Sequence, residues 1–259
     1  MMRAGSPVTI CLLICLLSAC TQERGIERWE GTNAGLRYLW TAGPGIDITT
    51  GPAVPIRAFM ESFELSQDAG DMSYAYPGFE QAVPDSSSDL WQTRPALDVP
   101  SKTPAVGNVN NLILSLDRVN DVVSAVVCRY TYRVATETEN GFYRSVARVG
   151  AMDERGIDVS KVELSGRSSQ PELAQAGPRP DPIGNVFGEW RVRGMLAYFS
   201  KNEPGFDQAW PTYEADRQAC VDKAPDPLPV RNAIIDGTHP RSEFPTAPAS
   251  PGWPENPSE

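Results

Sequence analysis

The chain has a single histidine, His239, and only four lysines among its 23 basic residues. A Ser-His-Asp triad needs a histidine held rigidly beside its nucleophile, and His239 sits in Gly-Thr-His-Pro within a proline-rich stretch. One histidine and few cysteines also leave a zinc site short of ligands. Phosphate-loop, His-Glu-x-x-His, Gly-x-Ser-x-Gly and dinucleotide signatures are missing. No catalytic residue, metal ligand or cofactor is therefore assigned. Heptads and internal repeats are missing too, and no apolar run approaches the roughly 20 residues of a membrane-spanning helix. Basic side chains are outnumbered 23 to 33, a net charge of −10. An acidic chain repels phosphate backbones, so nucleic acid is not an expected partner.

What is present begins with an ordered N-terminus. Arg3 precedes an apolar run from Val8 to Leu17, small Ser18 and Ala19 follow, and Cys20 comes next. That is the order of a secretory signal. Leu17-Ser18-Ala19-Cys20 resembles the bacterial lipoprotein family, matching its Leu-(Ala/Ser)-(Gly/Ala)-Cys lipobox at every position. The resemblance covers residues 1–20 alone. It implies diacylglycerol on the Cys20 thiol, cleavage before it, and attachment to the extracytoplasmic face of the cell membrane by acyl chains such as palmitate. Two or three chains hold firmly where one is marginal. An ordinary signal peptide with a chance cysteine, or a short uncleaved anchor, is the alternative. The implied layout is a signal peptide over 1–19, a lipidated cysteine and tether over 20–35, one globular domain over 36–223 and a Pro-rich disordered tail over 224–259.

This layout resolves the cysteine count. Of five cysteines, Cys11 and Cys15 leave with the signal and Cys20 takes the lipid, so Cys128 and Cys220 remain. An even pair in an exported protein predicts a disulfide. Its long loop would contribute about 4–5 kcal/mol in the chain-entropy model. Two separate buried thiols are the competing reading.

Periodicity then outlines an α+β domain. Leu36–Trp40 is an apolar patch of unclear type. Ile56–Gln67 reads as a helix, with Ile56, Phe59, Met60 and Phe63 forming one stripe. Val109–Leu116 and Val122–Thr136 read as strands. In the second, Val126, Cys128, Tyr130, Tyr132 and Val134 share the core side, and Arg129, Thr131 and Arg133 the other. Asn140-Gly141 predicts a hairpin turn into a partner strand over Phe142–Met152. Lys161–Ser165 and Val186–Phe199 are further strands, the second with Trp190, Val192, Leu196 and Tyr198 towards the core and Glu189, Arg191 and Arg193 away from it, and Phe206–Lys223 is a helix that turns Trp210, Tyr213, Cys220 and Val221 inward. The expected fold is an antiparallel sheet of about four or five strands packed against an N-terminal and a C-terminal helix. In element order it is loosely similar to the NTF2-like cone.

Four features raise functional questions. Glu61 and Glu64 share a helix face, as a carboxylate pair or, more commonly, as a solvated face. Tyr74, Tyr76, Phe79 and Trp91 line a pocket or cap the core. Tyr130, Tyr132 and Trp190 line a pocket if the sheet encloses one, and otherwise fill the core. Arg129, Arg133, Arg191 and Arg193, with Arg144 and Arg148, form a cationic ligand or partner strip if their strands are neighbours. Otherwise they are a solvated face neutralised by nearby acids. The expectation is a membrane-anchored envelope lipoprotein with a non-enzymatic binding or accessory role towards an envelope protein or a small ligand. The alternatives are an envelope hydrolase using carboxylates and a purely structural surface protein.

Overall fold

The computed structural model describes residues 28–147, 154–166 and 173–256. Among them, the patch of unclear type is a strand, β1 (Gly35–Ala42), with Leu36, Tyr38 and Trp40 buried on one face. The first helix, α1 (Ala53–Ala69), has Pro55 in its first turn, where a missing N–H costs nothing. It stops at Gly70, whose left-handed backbone (φ 67°) returns its N–H to Ser66 and Gln67. After a one-turn helix, α2 (Phe79–Ala82), come five strands: β2 (Ala105–Val119), β3 (Val122–Tyr130), β4 (Val134–Glu137), β5 (Tyr143–Ser145) and β6 (Ile157–Ser165). The chain continues through β7 (Arg191–Ala197) to α3 (Phe206–Ala209), α4 (Tyr213–Asp222) and α5 (Leu228–Ile235).

The α+β class holds, with seven strands rather than four or five. They form one sheet in the order β5-β4-β2-β3-β6-β7, with β1 also on β2. β1 runs parallel to β2 and every other pair is antiparallel. The strand expected over Val122–Thr136 is one path broken in two. β3 pairs with the far end of β2 and β4 pairs with Ala105–Gly107. A turn at Thr131–Arg133 separates them, closed by Val134 N–H to the Thr131 carbonyl at 2.8 Å. Gly107 lies under that turn with φ +108°, and a Cβ there would stand 2.1 Å from the Arg133 carbonyl oxygen. Only glycine fits so close a backbone crossing.

Covered on both faces, the sheet forms the middle of three layers. Val123, Ala125 and Val127 of β3 join α1 and α2 in one core. Val126, Cys128 and Tyr130 join α3, α4 and α5 in a second. The side opposite Cys128, which the alternation assigns to Arg129, Thr131 and Arg133, is thus covered too: apart from Ser124, the first half of β3 is apolar on both faces, the mark of a strand buried on both sides. Cys128 and Cys220 stand at disulfide distance with Cα atoms 5.4 Å apart, tying β3 to α4 within the second core.

Several boundaries shift for local reasons. The helix expected over Phe206–Lys223 splits at Trp210, whose φ of −140° reflects the constraint of preceding Pro211. The strand expected over Val186–Phe199 shrinks to β7. Asn140-Gly141 does turn the chain, with Thr138 N–H donating to the Phe142 carbonyl at 2.7 Å. Of the returning strand Phe142–Met152, β5 is the part seen, and residues 148–153 lie outside the described residues.

The largest correction concerns the tail. The stretch from Ala224, with nine prolines in 36 residues, is folded against the domain through residue 256 rather than disordered. It contributes α5 and buries Phe244 and Trp253. Ser250 exchanges hydrogen bonds with the outer edge of β1, and His239 with Tyr143 of β5. Gln92 does the same for Met195 on β7. Each outer strand thus has its edge blocked by a short bridge, which discourages edge-to-edge association. No helix among the described residues is long and apolar enough to cross a membrane.

Candidate functional site

A groove of about 510 Å³ opens beside the break between β3 and β4. Gly156 and, at the start of β6, Asp158 line it, and α4 contributes Tyr213, Glu214 and Arg217. Gly156 is needed there, because φ is +69° and a Cβ would lie 2.4 Å from that of Ala147. Tyr198 and Lys201 complete the rim. Asp216 accepts from the Thr212 hydroxyl at 2.7 Å and the Trp210 indole at 2.8 Å, holding the turn that aims α4 at the groove.

Every ionised group lining the groove has a partner. Arg217 contacts Glu154 and holds Glu214 at 3.0 Å, and Lys201 also pairs with Glu214. Asp158 holds Arg129 at 3.3 Å. Exposed apolar surface clusters at the rim: Tyr198 is 63% exposed, Phe199 45%, and their rings meet edge-on at 5.5 Å. Two adjacent exposed aromatics beside a groove are a common mark of a binding surface.

The opposite face holds the carboxylates that burial perturbs. Glu61 is buried, which overturns the solvated-face reading of Glu61 and Glu64. Its Oε1 accepts from the Trp40 indole at 2.6 Å, and its Oε2 from the Tyr76 hydroxyl at 2.7 Å and the Trp253 indole at 3.2 Å. One turn earlier, fully buried Arg57 donates to four carbonyls, of Ile48, Gln175, Pro251 and Gly252, at 2.8–3.2 Å. Its guanidinium lies over the Trp253 ring at 4.3 Å. Burial raises the Glu61 carboxyl, opposed by Arg57 and the three donors. With both oxygens occupied, Glu61 is a fastener rather than a base.

Glu64 differs. Its Oε1 contacts Arg129 Nε, and its Oε2 is buried without a hydrogen-bond partner. Burial pushes its carboxyl up to about 7, with Asp68 adding and Arg129 opposing. Burial raises Asp68 as well. A base poised near 7 is what general acid–base chemistry uses, but Glu64 lies between α1 and the sheet and borders no described groove.

The arginine strip does not assemble. Arg129 is engaged by Glu64 and Asp158, and Arg133 by Asp226 at 2.8 and 2.9 Å. That bidentate contact holds the Asp226 carboxyl below its ordinary range. Arg191 donates to the carbonyls of Gly188 and Trp190. On β6, Arg129 pairs opposite Asp158 and Arg191 opposite Ser165, about 23 Å apart at the ordinary strand rise. The strands are close but the register separates the charges. Arg144 is exposed on β5, and Arg148 lies outside the described residues. Arg193 faces a different, smaller groove.

The aromatic candidates mostly fill core. Tyr130 and Tyr132 are buried in the α4-side core and Trp190 in the α1-side core, so the sheet divides them. Tyr130 donates to the Cys220 carbonyl at 2.9 Å, and burial pushes its phenol up to about 12. Tyr76 and Phe79 are buried, Tyr74 and Trp91 half-buried. His239 is held by the Asp236 carbonyl at 2.9 Å and Glu243 at 3.3 Å, with no nucleophile among these partners. Cys20 lies outside the described residues. The groove itself escaped sequence reasoning because its walls come from five separate segments, and because the alternation over Val186–Phe199 puts Tyr198 on the core side, whereas β7 ends at Ala197 and Tyr198 beyond it is exposed. Comparison with family models, with curated proteins and with solved structures returned no match.

Proposed function

We propose that the chain is a bacterial envelope lipoprotein, anchored through Cys20, whose domain binds a ligand or partner at the α4-side groove. The observation that carries this reading is the Cys128–Cys220 pair at disulfide distance inside the second core. Disulfides persist in oxidising, extracytoplasmic compartments, which is where the Leu17-Ser18-Ala19-Cys20 motif would deliver the chain. Exposed Tyr198 and Phe199 beside the groove favour recognition as the role. So do the ion pairs of Glu154, Asp158 and Glu214, which leave no groove carboxylate free to act as a base.

The test is fractionation of cells carrying the wild-type chain or Cys20→Ser. The wild type should enter the detergent phase as a processed form, and the variant should accumulate unprocessed and without lipid. Normal processing of Cys20→Ser would sink the anchor. Tyr198→Ser with Phe199→Ser tests the binding role, as it should abolish cross-linking to whatever envelope component the wild type captures. Identical cross-linking patterns would move the binding surface elsewhere.

A further inference from the structure

β7 carries a bulge beside the smaller groove. Gly194 pairs with Glu163 and Val192 with Leu164, which leaves Arg193 as the extra residue without a register partner. Bulges re-aim side chains. Here exposed Arg193 borders a groove of about 290 Å³ together with Trp91, Ser86, Ser88, Thr93 and Glu163. Gly194 has φ +148°, and a Cβ on it would stand 2.9 Å from that of Trp91. Glycine is what lets the Trp91 segment lie against the strand.

The walls are preformed. Gln92 and Met195 exchange both backbone hydrogen bonds, at 2.9 and 2.7 Å. The Ser87 hydroxyl accepts from the Thr93 and Arg94 amides, and that of Ser88 from the Trp91 amide. Glu163 is already engaged, by the Ser124 hydroxyl at 3.1 Å and Lys161 at 3.2 Å. Arg193 has no hydrogen bond, ion pair or ring contact among the described residues, and the Trp91 indole N–H has no partner there either. The groove therefore offers a forked cation with five donors and no acceptor, one indole N–H, a half-buried aromatic face and small hydroxyls.

We propose that this groove binds an anionic sugar, a pyranose ring carrying a carboxylate or a phosphate. The Arg193 fork takes the oxyanion in bidentate fashion. Trp91 covers the apolar C–H face of the ring and gives its N–H to a ring hydroxyl. A neutral sugar leaves Arg193 unpaired, and a bare anion leaves Trp91 uncovered, so the two residues together select the class. The site lies on β6 and β7 beside Glu163, away from the Asp158 groove, and does not depend on what binds there.

Calorimetric titration of the full chain in detergent with glucuronate, glucose 6-phosphate, glucose and inorganic phosphate tests this. At least one anionic sugar should saturate with quenching of tryptophan fluorescence, glucose should not bind, and phosphate should bind at least about tenfold more weakly. Arg193→Gln should weaken the sugar about tenfold or more, the loss expected for a charge-assisted contact, with an unchanged melting temperature because the side chain is exposed. Trp91→Leu should remove the quenching. The glucuronate and glucose 6-phosphate arms show which oxyanion is preferred. Absence of saturation by both, or equal affinity in Arg193→Gln, overturns the site. Phosphate binding as tightly as glucose 6-phosphate overturns the sugar and leaves an anion contact.

Discussion

The two faces of the sheet bury their ionisable groups in opposite ways. On the α1 face, Arg57 and Glu61 are sealed and hydrogen-bonded, in part to residues more than a hundred positions away in the chain, with Arg57 Nε left unpartnered. On the α4 face, the charges at the groove pair with one another at the surface, and the disulfide-distance pair holds the core beneath. Stripping the partners from a buried charge costs several kcal/mol. An exposed, self-paired charge can exchange its partner at little cost. The α1 face fastens the fold, and under the proposed function the α4 face is the one that recognises a ligand or partner.

Substitutions should separate the faces by size of effect. Trp253→Ala removes a donor from Glu61, the ring beneath Arg57 and a large buried side chain, and should destabilise by about 3–5 kcal/mol in denaturant unfolding. A loss below about 1 kcal/mol would show that the C-terminal segment is not the fastener described here. On the other face, Cys128→Ser with Cys220→Ser should cost about 2–5 kcal/mol, and adding a reductant should not weaken the double variant further.

Glu64 provides a pH signature in the neutral range. Its carboxyl, raised from 4.5 to about 7 in the folded state, binds more protons folded than unfolded between those values. Stability contributed by its protonated form is therefore lost as pH rises through that window, by at most about 3 kcal/mol. Glu61 and Asp68, also raised, act in the same direction, so the diagnostic is the difference in slope between wild type and Glu64→Gln. Equal slopes from pH 4.5 to 7 would remove Glu64 as a neutral-range titrating group. The smallest effect belongs to Arg217→Ala at the groove, where loss of exposed ion pairs should change stability by under about 1 kcal/mol. A larger loss would mean that the groove charges also fasten the fold.

The elements built from local periodicity were legible in the chain. The α1 stripe, the β3 alternation and the inward face of α4 all follow from neighbours in sequence, and two of these periods brought Cys128 and Cys220 together. The buried network was not legible, because the donors that satisfy Glu61 come from Trp40, Tyr76 and Trp253. On a helical wheel it looks like any surface glutamate. The tail was misread for a related reason. Its prolines suggest a chain without regular structure, yet Phe244 and Trp253 had apolar area to bury, and the carbonyls of Pro251 and Gly252 found Arg57. The arginine strip failed on register: β3, β6 and β7 are neighbours, but Arg129 and Arg191 lie at opposite ends of β6.

One measurement bears most directly on the account of compartment and anchor: the intact mass of the protein isolated from its cells without reductant. The account predicts a chain that begins at Cys20, carries a diacylglyceryl group there, and lacks the two hydrogen atoms that a Cys128–Cys220 disulfide removes. A full-length chain with no lipid and both thiols free would contradict it.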